Sequence, residues 1–139
     1  MQITTKRKIE FSEASFPWPD VADAAFASQP GNREERTIAL CEAMIDITAA
    51  LFNVSGRELR KSGRSSMGVS RVRQVAMYVA HVVLRLNMAD IGKAFGRDRT
   101  TVLYACHLIE DLRDDDEFDR IITMTERVAL AAFGGRAGA

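Results

Sequence analysis

Cysteine, proline and long apolar runs are all scarce in this chain, and each scarcity excludes a class of protein. Of 139 residues only two are cysteine, Cys41 and Cys106, in neither a CxxC pair nor a zinc-like spacing with His81 and His107. That gives no basis for a disulfide framework or a zinc site; both fall in apolar helical patterns and read as buried, reduced thiols. No apolar stretch approaches the ~18 residues of a membrane span. Lys6, Arg7 and Lys8 have no apolar run behind them, so no signal peptide is read. The expected location is the cytoplasm, with no membrane partner. No strand-period pattern of useful length and no internal repeat occurs. Net charge is also lacking, since 19 basic residues balance 19 acidic ones.

The charge is nevertheless segregated. Residues 57–107 hold ten Lys/Arg against three Asp/Glu, a balance of +7, and the rest of the chain carries −7. Such asymmetry suits one face built for a polyanion; a chance cluster on a solvated surface is the alternative. At 47% apolar and 27% charged, the chain has the means to bury a core.

All three prolines, Pro17, Pro19 and Pro30, lie in the first 32 residues, with Phe11, Phe16 and Trp18 among them. Proline on both sides of Trp18 keeps this stretch out of a helix, so residues 1–33 read as an extended, irregular leader with at most a short helix over 20–27. From Glu34 a helical stripe begins, with Ile38, Cys41, Ile45, Thr48 and Phe52 at spacings of three and four, widened by Leu40, Met44, Ile47 and Leu51. Ser55 and Glu58 form a capping-box pattern for a short helix, and the polar, basic segment 61–69 reads as a loop. Ser70 is the expected cap of a helix with Val72, Val75, Ala76, Val79, Val82, Val83 and Leu86 on its apolar face. Asn87 with Asp90 opens a short helix that stops near Phe95 and Gly96, and Asp98 caps the next, whose buried stripe is Val102, Ala105, Cys106, Ile109 and Leu112. The acidic run 114–117 reads as a solvated junction. Phe118, Ile121, Ile122, Thr125, Val128 and Ala132 then form a last helix, before a frayed tail from Gly134.

Residues 88–107 thus combine a short helix, a tight glycine-containing turn and a second helix with a polar amino end. A helix-turn-helix needs this order, because its second helix enters the major groove end-first. First-turn amides then meet phosphate and early side chains meet base edges. Those side chains are Arg97, Asp98, Arg99, Thr100 and Thr101, with Tyr104 a turn later. An arginine fork binds guanine bidentately, and threonine offers a hydroxyl and a methyl. Asp98 suits either a base amino group or the helix cap. Periodicity alone is a weak signal, since many proteins contain a helix, a glycine turn and a helix.

The motifs RQVAMY (73–78), ADIGKAFGRD (89–98) and TTVLYAC (100–106) resemble the C-terminal DNA-binding domain of DnaA, the bacterial replication initiator, and the similarity extends over about residues 40–133. The resemblance implies an all-α, Trp-repressor-like fold over 34–133, between the leader and the tail 134–139, and sequence-specific binding of double-stranded DNA as a monomer on an asymmetric site. Carried over by position, it gives phosphate contacts to Arg73 and Gln74 at the start of the central helix and to His81. Ala89 stands where a proline packs on the DNA, with Lys93 on the same short helix. The reading end falls on Arg97, Asp98, Thr100 and Thr101, and Tyr104 takes a backbone-contacting position. The family also inserts a loop arginine into the minor groove, where narrow A/T tracts attract cations; Arg64 is the nearest candidate, although a direct count falls on Ser65.

Two departures bear on specificity. Arg99 stands where the family usually has histidine, and the turn after Phe95 and Gly96 lacks a second glycine, one residue shorter. Both imply a target related to, but different from, the family's A/T-rich box. There is no GxxxxGK[ST] phosphate loop, so no nucleotide, cofactor or ATPase activity is expected, and no catalytic grouping suggests an enzyme. The expected role is regulation of replication initiation or transcription at the nucleoid. The competing reading is a protein-interaction module on a former DNA-binding fold, docking a partner or a second copy through residues 1–53.

Overall fold

The computed structural model describes residues 33–61, 63 and 65–134. The leader up to residue 32, Arg64 and the tail beyond Gly134 lie outside them. The described residues form six helices and no strand: α1 Arg33–Phe52, α2 Gly56–Arg60, α3 Met67–Val82, α4 Met88–Phe95, α5 Arg99–Leu112 and α6 Asp116–Gly134.

The core is arranged around α3, because α3 is apolar on nearly every side. Val72, Val75, Ala76, Met77, Tyr78, Val79, Ala80 and Val82 are all buried, the pattern of a helix enclosed by others rather than lying on a surface. Helices α1 and α5 pack along it, α2, α4 and α6 touch it, and α4 packs against both α1 and α5. Leu40, Met44, Ile45, Met77, Leu84, Ile91, Ile109 and Ile122 are at most 1% exposed, each stabilising the fold by about 1.5–3 kcal/mol relative to exposure. Cys41 and Cys106 are free and buried, and burial pushes each thiol up to about 12.

The face of α1 is rotated from the expected stripe. Thr37, Leu40, Cys41, Met44, Ile45 and Thr48 point inward, while Ile38 and Leu51 are 40% and 47% exposed. Thr48 belongs inside because its hydroxyl donates to the Met44 carbonyl at 2.8 Å, satisfying the polar group within its own helix. The start of α3 also differs: Ser66, not Ser70, is the cap, its Oγ accepting from Val69 N at 3.2 Å. A first turn containing Gly68 and the exposed Met67 has little packing to recommend it, so the cap decides the boundary. At α2 half the capping box forms. Ser55 accepts from Arg57 N at 3.1 Å, but the Glu58 carboxylate faces Lys61 at 3.9 Å.

A polar network absent from the sequence reading pins the far end of α5. Arg113, 6% exposed, donates to Asp119 Oδ1 (2.6 Å), Glu126 Oε2 (2.9 Å), Thr123 Oγ1 (3.0 Å) and Tyr78 Oη (3.1 Å). Tyr78 in turn donates to Glu110 Oε2 at 3.0 Å. Burial pulls the guanidinium down, but Glu126, Asp119 and Tyr78 outweigh it and hold Arg113 firmly protonated. The junction read as merely solvated therefore joins α3, α5 and α6. Asp115 does cap α6, accepting from Phe118 N at 2.8 Å, and α6 runs on through Gly134. Arg113→Ala is expected to cost about 2–4 kcal/mol, because it leaves two half-buried carboxylates without their cation. Urea denaturation checks this, and a loss below 1 kcal/mol would show that the network contributes little.

Candidate nucleic-acid interface

Three residues, 96–98, join α4 to α5, and each has a local reason for its conformation. Asn87 opens α4, its Oδ1 accepting from Asp90 N at 2.8 Å, while the Asp90 carboxylate reaches Arg33 at 3.3 Å. Gly96 closes α4 at φ 69°, the left-handed conformation that costs glycine nothing. Its N–H donates to Lys93 O, and Arg97 N–H donates to Gly92 O at 2.7 Å. Asp98 then caps α5, Oδ1 accepting from both the amide and the hydroxyl of Thr101 at 2.9 Å. Those bonds hold the Asp98 carboxyl below the usual aspartate range, so the cap is lost only as pH falls through that lowered value.

Gly92 is the tightest point of the motif. A Cβ built there would lie 2.6 Å from the Arg97 carbonyl oxygen and 3.2 Å from Asp98 C. The backbone of the turn thus rests directly on α4, and that contact sets how α5 leaves the domain. Gly96 marks the end of α4 in the sequence pattern, whereas Gly92 shows there only as a glycine inside a short helical pattern.

Around the amino end of α5 the expected residues fall into two groups. Arg99, Thr100 and Tyr104 are exposed, and none of their side chains has a hydrogen-bond partner among the described residues. Ala89 and Lys93 are also exposed, on α4. Thr101 is exposed, but its hydroxyl is committed to Asp98, so capping is the role the structure gives that aspartate. Arg97 is half-buried, donating to Phe95 O at 3.0 Å and to Lys61 O at 3.2 Å.

The second group turns inward, and here the expectation of phosphate contact needs correction. Arg73 is 5% exposed. Its Nε donates to Leu59 O at 2.9 Å, and its Nη2 to Glu58 O at 2.9 Å, Ser65 Oγ at 3.0 Å and Lys61 O at 3.4 Å. Helix α2 ends there, its Glu58 carbonyl taking one amide, Lys61 N at 3.4 Å, and a guanidinium is shaped to collect several such terminal carbonyls. His81 is likewise occupied, its Nδ1 bonded to Leu86 O at 2.8 Å, where a carbonyl requires the nitrogen to donate. Gln74 is half-buried, with its Oε1 enclosed and lacking a partner among the described residues. Arg60, counted with the basic segment, faces away toward α1, donating to Glu42 at 2.8 Å and Asp46 at 3.2 Å.

Arg73 and Arg97 share the Lys61 carbonyl, and burial together with the nearby Arg97 charge lowers the Arg73 pKa. The Glu58 charge opposes this. Among the described residues no group of three His, Cys, Asp or Glu could hold a metal, and no helix is long and apolar enough to cross a membrane.

Comparison with known proteins bears on this motif. The family described as "Bacterial dnaA protein helix-turn-helix" matches residues 41–109, which takes in α4, the turn and most of α5. The chain carries a DnaA-type helix-turn-helix domain. The chromosomal replication initiator protein DnaA of Chloroflexus aggregans is 34% identical over 114 residues, covering 80% of this chain and 23% of that protein. DnaA of Corynebacterium aurimucosum is 34% identical over 112 residues, covering 78% and 20% respectively. The chain thus spans about a fifth of the length of these relatives. A crystal structure titled as a DNA replication initiation factor superposes with a TM-score of 0.65, covering 73% of this chain and 32% of that one. At 24% identity that likeness concerns the fold.

Within the DnaA-type domain, Gly92 and Gly96 answer to different constraints, and alanine separates them. Gly96→Ala meets no neighbour within 4 Å and should cost only the left-handed backbone, roughly 1–2 kcal/mol. Gly92→Ala must move the turn itself and should cost about 1–3 kcal/mol while shifting the amide resonances of residues 97–101. Thermal unfolding and amide chemical shifts check both. Unchanged shifts at 97–101 in Gly92→Ala would show that the contact does not set the turn.

Proposed function

We propose that this DnaA-type domain binds double-stranded DNA sequence-specifically, with the amino end of α5 in the major groove, and that it regulates replication initiation or transcription at sites related to the DnaA box. One observation carries the reading. Arg99 and Thr100 stand exposed on the first turn of α5, beside the Arg73–Arg97 pair, whose guanidinium groups bond backbone carbonyls and the Ser65 hydroxyl rather than carboxylates. A helix amino end with fixed positive charge beside it is an anion site by its dipole and its amides.

The roles follow from position. Arg99 offers a planar fork to guanine and Thr100 a hydroxyl and methyl to a neighbouring base, and Asp98 holds their turn. Ala89 and Lys93 flank the groove from α4, with Lys93 meeting phosphate, and Tyr104 faces the backbone one turn along α5. Arg97 supports the turn from inside, Arg73 holds the basic segment, and Arg64 remains the candidate for the minor groove. Because Arg99 replaces a residue that is usually histidine, the preferred site differs from the family's box at the base Arg99 meets. Neither nucleotide nor cofactor enters this function, and the reading is of a DNA-binding protein rather than an enzyme. The alternative, docking a partner or a second copy through residues 1–53, has only Ile38 and Leu51 of α1 as large exposed apolar side chains among the described residues, since most of the apolar face of α1 is spent on α3 and α4.

Duplex binding measured across a salt series tests the proposal, because phosphate neutralisation makes affinity fall steeply with salt. Lys93→Ala should weaken all sequences alike and flatten the salt slope by about 1, whereas Arg99→Ala should cost ~1–3 kcal/mol chiefly on selected sites. Arg73→Ala should lower thermal stability as well as affinity, which a direct phosphate ligand would not. No duplex affinity at low salt would overturn the function. Site selection giving the same preferences as full-length DnaA would overturn the role of Arg99.

A further inference from the structure

Helix α6 carries an apolar stripe that the described residues leave uncovered. Ile121, Met124 and Val128 are 37%, 50% and 39% exposed, and Ala131, also exposed, continues the line. The spacing of three, four and three keeps all four on one side of the helix, while Ile122, Thr125, Ala129 and Phe133 face the core. Arg120 and Arg127, both exposed, run along one flank, and neither has an ion-pair partner among the described residues. A row of large apolar side chains edged by unopposed charge is the composition of a docking surface rather than of an ordinary solvated face.

The occupant has to be apolar and acidic, and the chain contains such a segment. Between residues 9 and 32 there are four acidic residues, Glu10, Glu13, Asp20 and Asp23, and no Lys or Arg, interleaved with Phe11, Phe16 and Trp18. The order of charge agrees as well. Lys6, Arg7 and Lys8 precede Glu10 and Glu13 in the leader, just as the acidic run 114–117 precedes Arg120 and Arg127 on α6. Reach is no obstacle. The 14 residues 19–32 span up to about 46 Å when extended, and the 19-residue helix α6 is only about 28 Å long. A second copy fits less well. Antiparallel pairing across the stripe sets Arg120 opposite Arg127, a like-charge contact, and parallel pairing leaves both arginines without an acidic partner.

We propose that residues 10–18 of this chain dock on the Ile121–Met124–Val128 stripe of α6, with Phe11, Phe16 and Trp18 as apolar anchors and Glu10 and Glu13 facing Arg120 and Arg127. The surface is separate from the amino end of α5, and the proposal stands or falls apart from DNA binding.

Trp18 is the chain's one tryptophan and reports directly. In the full chain its emission is expected to lie to the blue of that of an isolated 1–32 peptide. Quenching by acrylamide should be several-fold weaker, and both values should hold on dilution. Met124→Glu with Val128→Glu, at exposed positions, should return both readings to the peptide values while helical circular dichroism and melting stay as in the parent. Arg120→Glu with Arg127→Glu should do so in part, and most at low salt; it decides alone if the apolar pair of substitutions disturbs folding. Trp18 as accessible as in the peptide would overturn the proposal, as would protection that survives both variants. Protection that vanishes on dilution would show the stripe to be an interface between copies.

Discussion

The carbonyl of Lys61 is where the half of this domain that carries the helix-turn-helix is held together. Arg73 reaches it from α3 and Arg97 from the turn before α5, so the end of α2, the basic segment after it and the helix-turn-helix are fixed to one point. Backbone carbonyls at a helix end are orphan acceptors that must find donors when water is excluded. A five-residue helix has almost no hydrogen bonding of its own, and here the acceptors at its end are met by guanidinium groups. The consequence is electrostatic as well as mechanical. Carbonyl dipoles satisfy the geometry of a guanidinium without cancelling its charge, so two cations stay close together beside the turn.

The contrast with Arg113 sharpens the point. Both arginines are buried to a similar degree, 5% and 6% exposed, and both are saturated with acceptors. Arg113 meets carboxylates, and its charge is consumed within the fold; Arg73 meets carbonyls, and its charge is not. Arg113 therefore reads as a residue of stability at the carboxyl end of α5, and Arg73 as one that serves both position and field at the amino end. Tyr78 helps keep these regimes apart, since its hydroxyl bridges Glu110 and Arg113 and burial pushes its pKa well up, leaving it a neutral donor.

What the sequence made legible was whatever depends on residues a few positions apart. The caps at Asn87 and Asp98, the left-handed Gly96 and the existence of each helix from Glu34 onward follow from side chains bonding their own neighbours. The inward turn of Arg73 was not legible, because its acceptors lie 8 to 15 residues away and a short motif match says nothing of side-chain direction. The same holds for Arg60, which looked like part of a polyanion-facing cluster until Glu42 and Asp46 of α1 were seen to claim it. The start of α3 differs for another reason: Ser66 and Ser70 are both acceptable caps, and the apolar pattern that marks the helix begins only at Val69, at the end of the turn that Ser66 caps. Gly92 was visible but uninterpreted; its meaning lies in a backbone atom five residues ahead that the turn folds back onto it.

Under the proposed function, the retained charge is what would let a chain of zero formal net charge suit a polyanion. Beyond the ~8–10 Å screening length exposed charges are largely screened, so binding is decided by the local field at the contact rather than by net charge. In the free protein Arg73 and Arg97 repel each other, and burial adds to the cost of keeping Arg73 protonated. Under the proposed function, a phosphate seated at the amino end of α5 would relieve that repulsion, and part of its binding energy would then come from unfavourable charge in the unbound fold. Neutralising the pair internally, by a carboxylate in place of the Ser65 hydroxyl, would stabilise the free domain and remove this contribution. Phosphate affinity and internal charge balance therefore compete for the same two guanidinium groups.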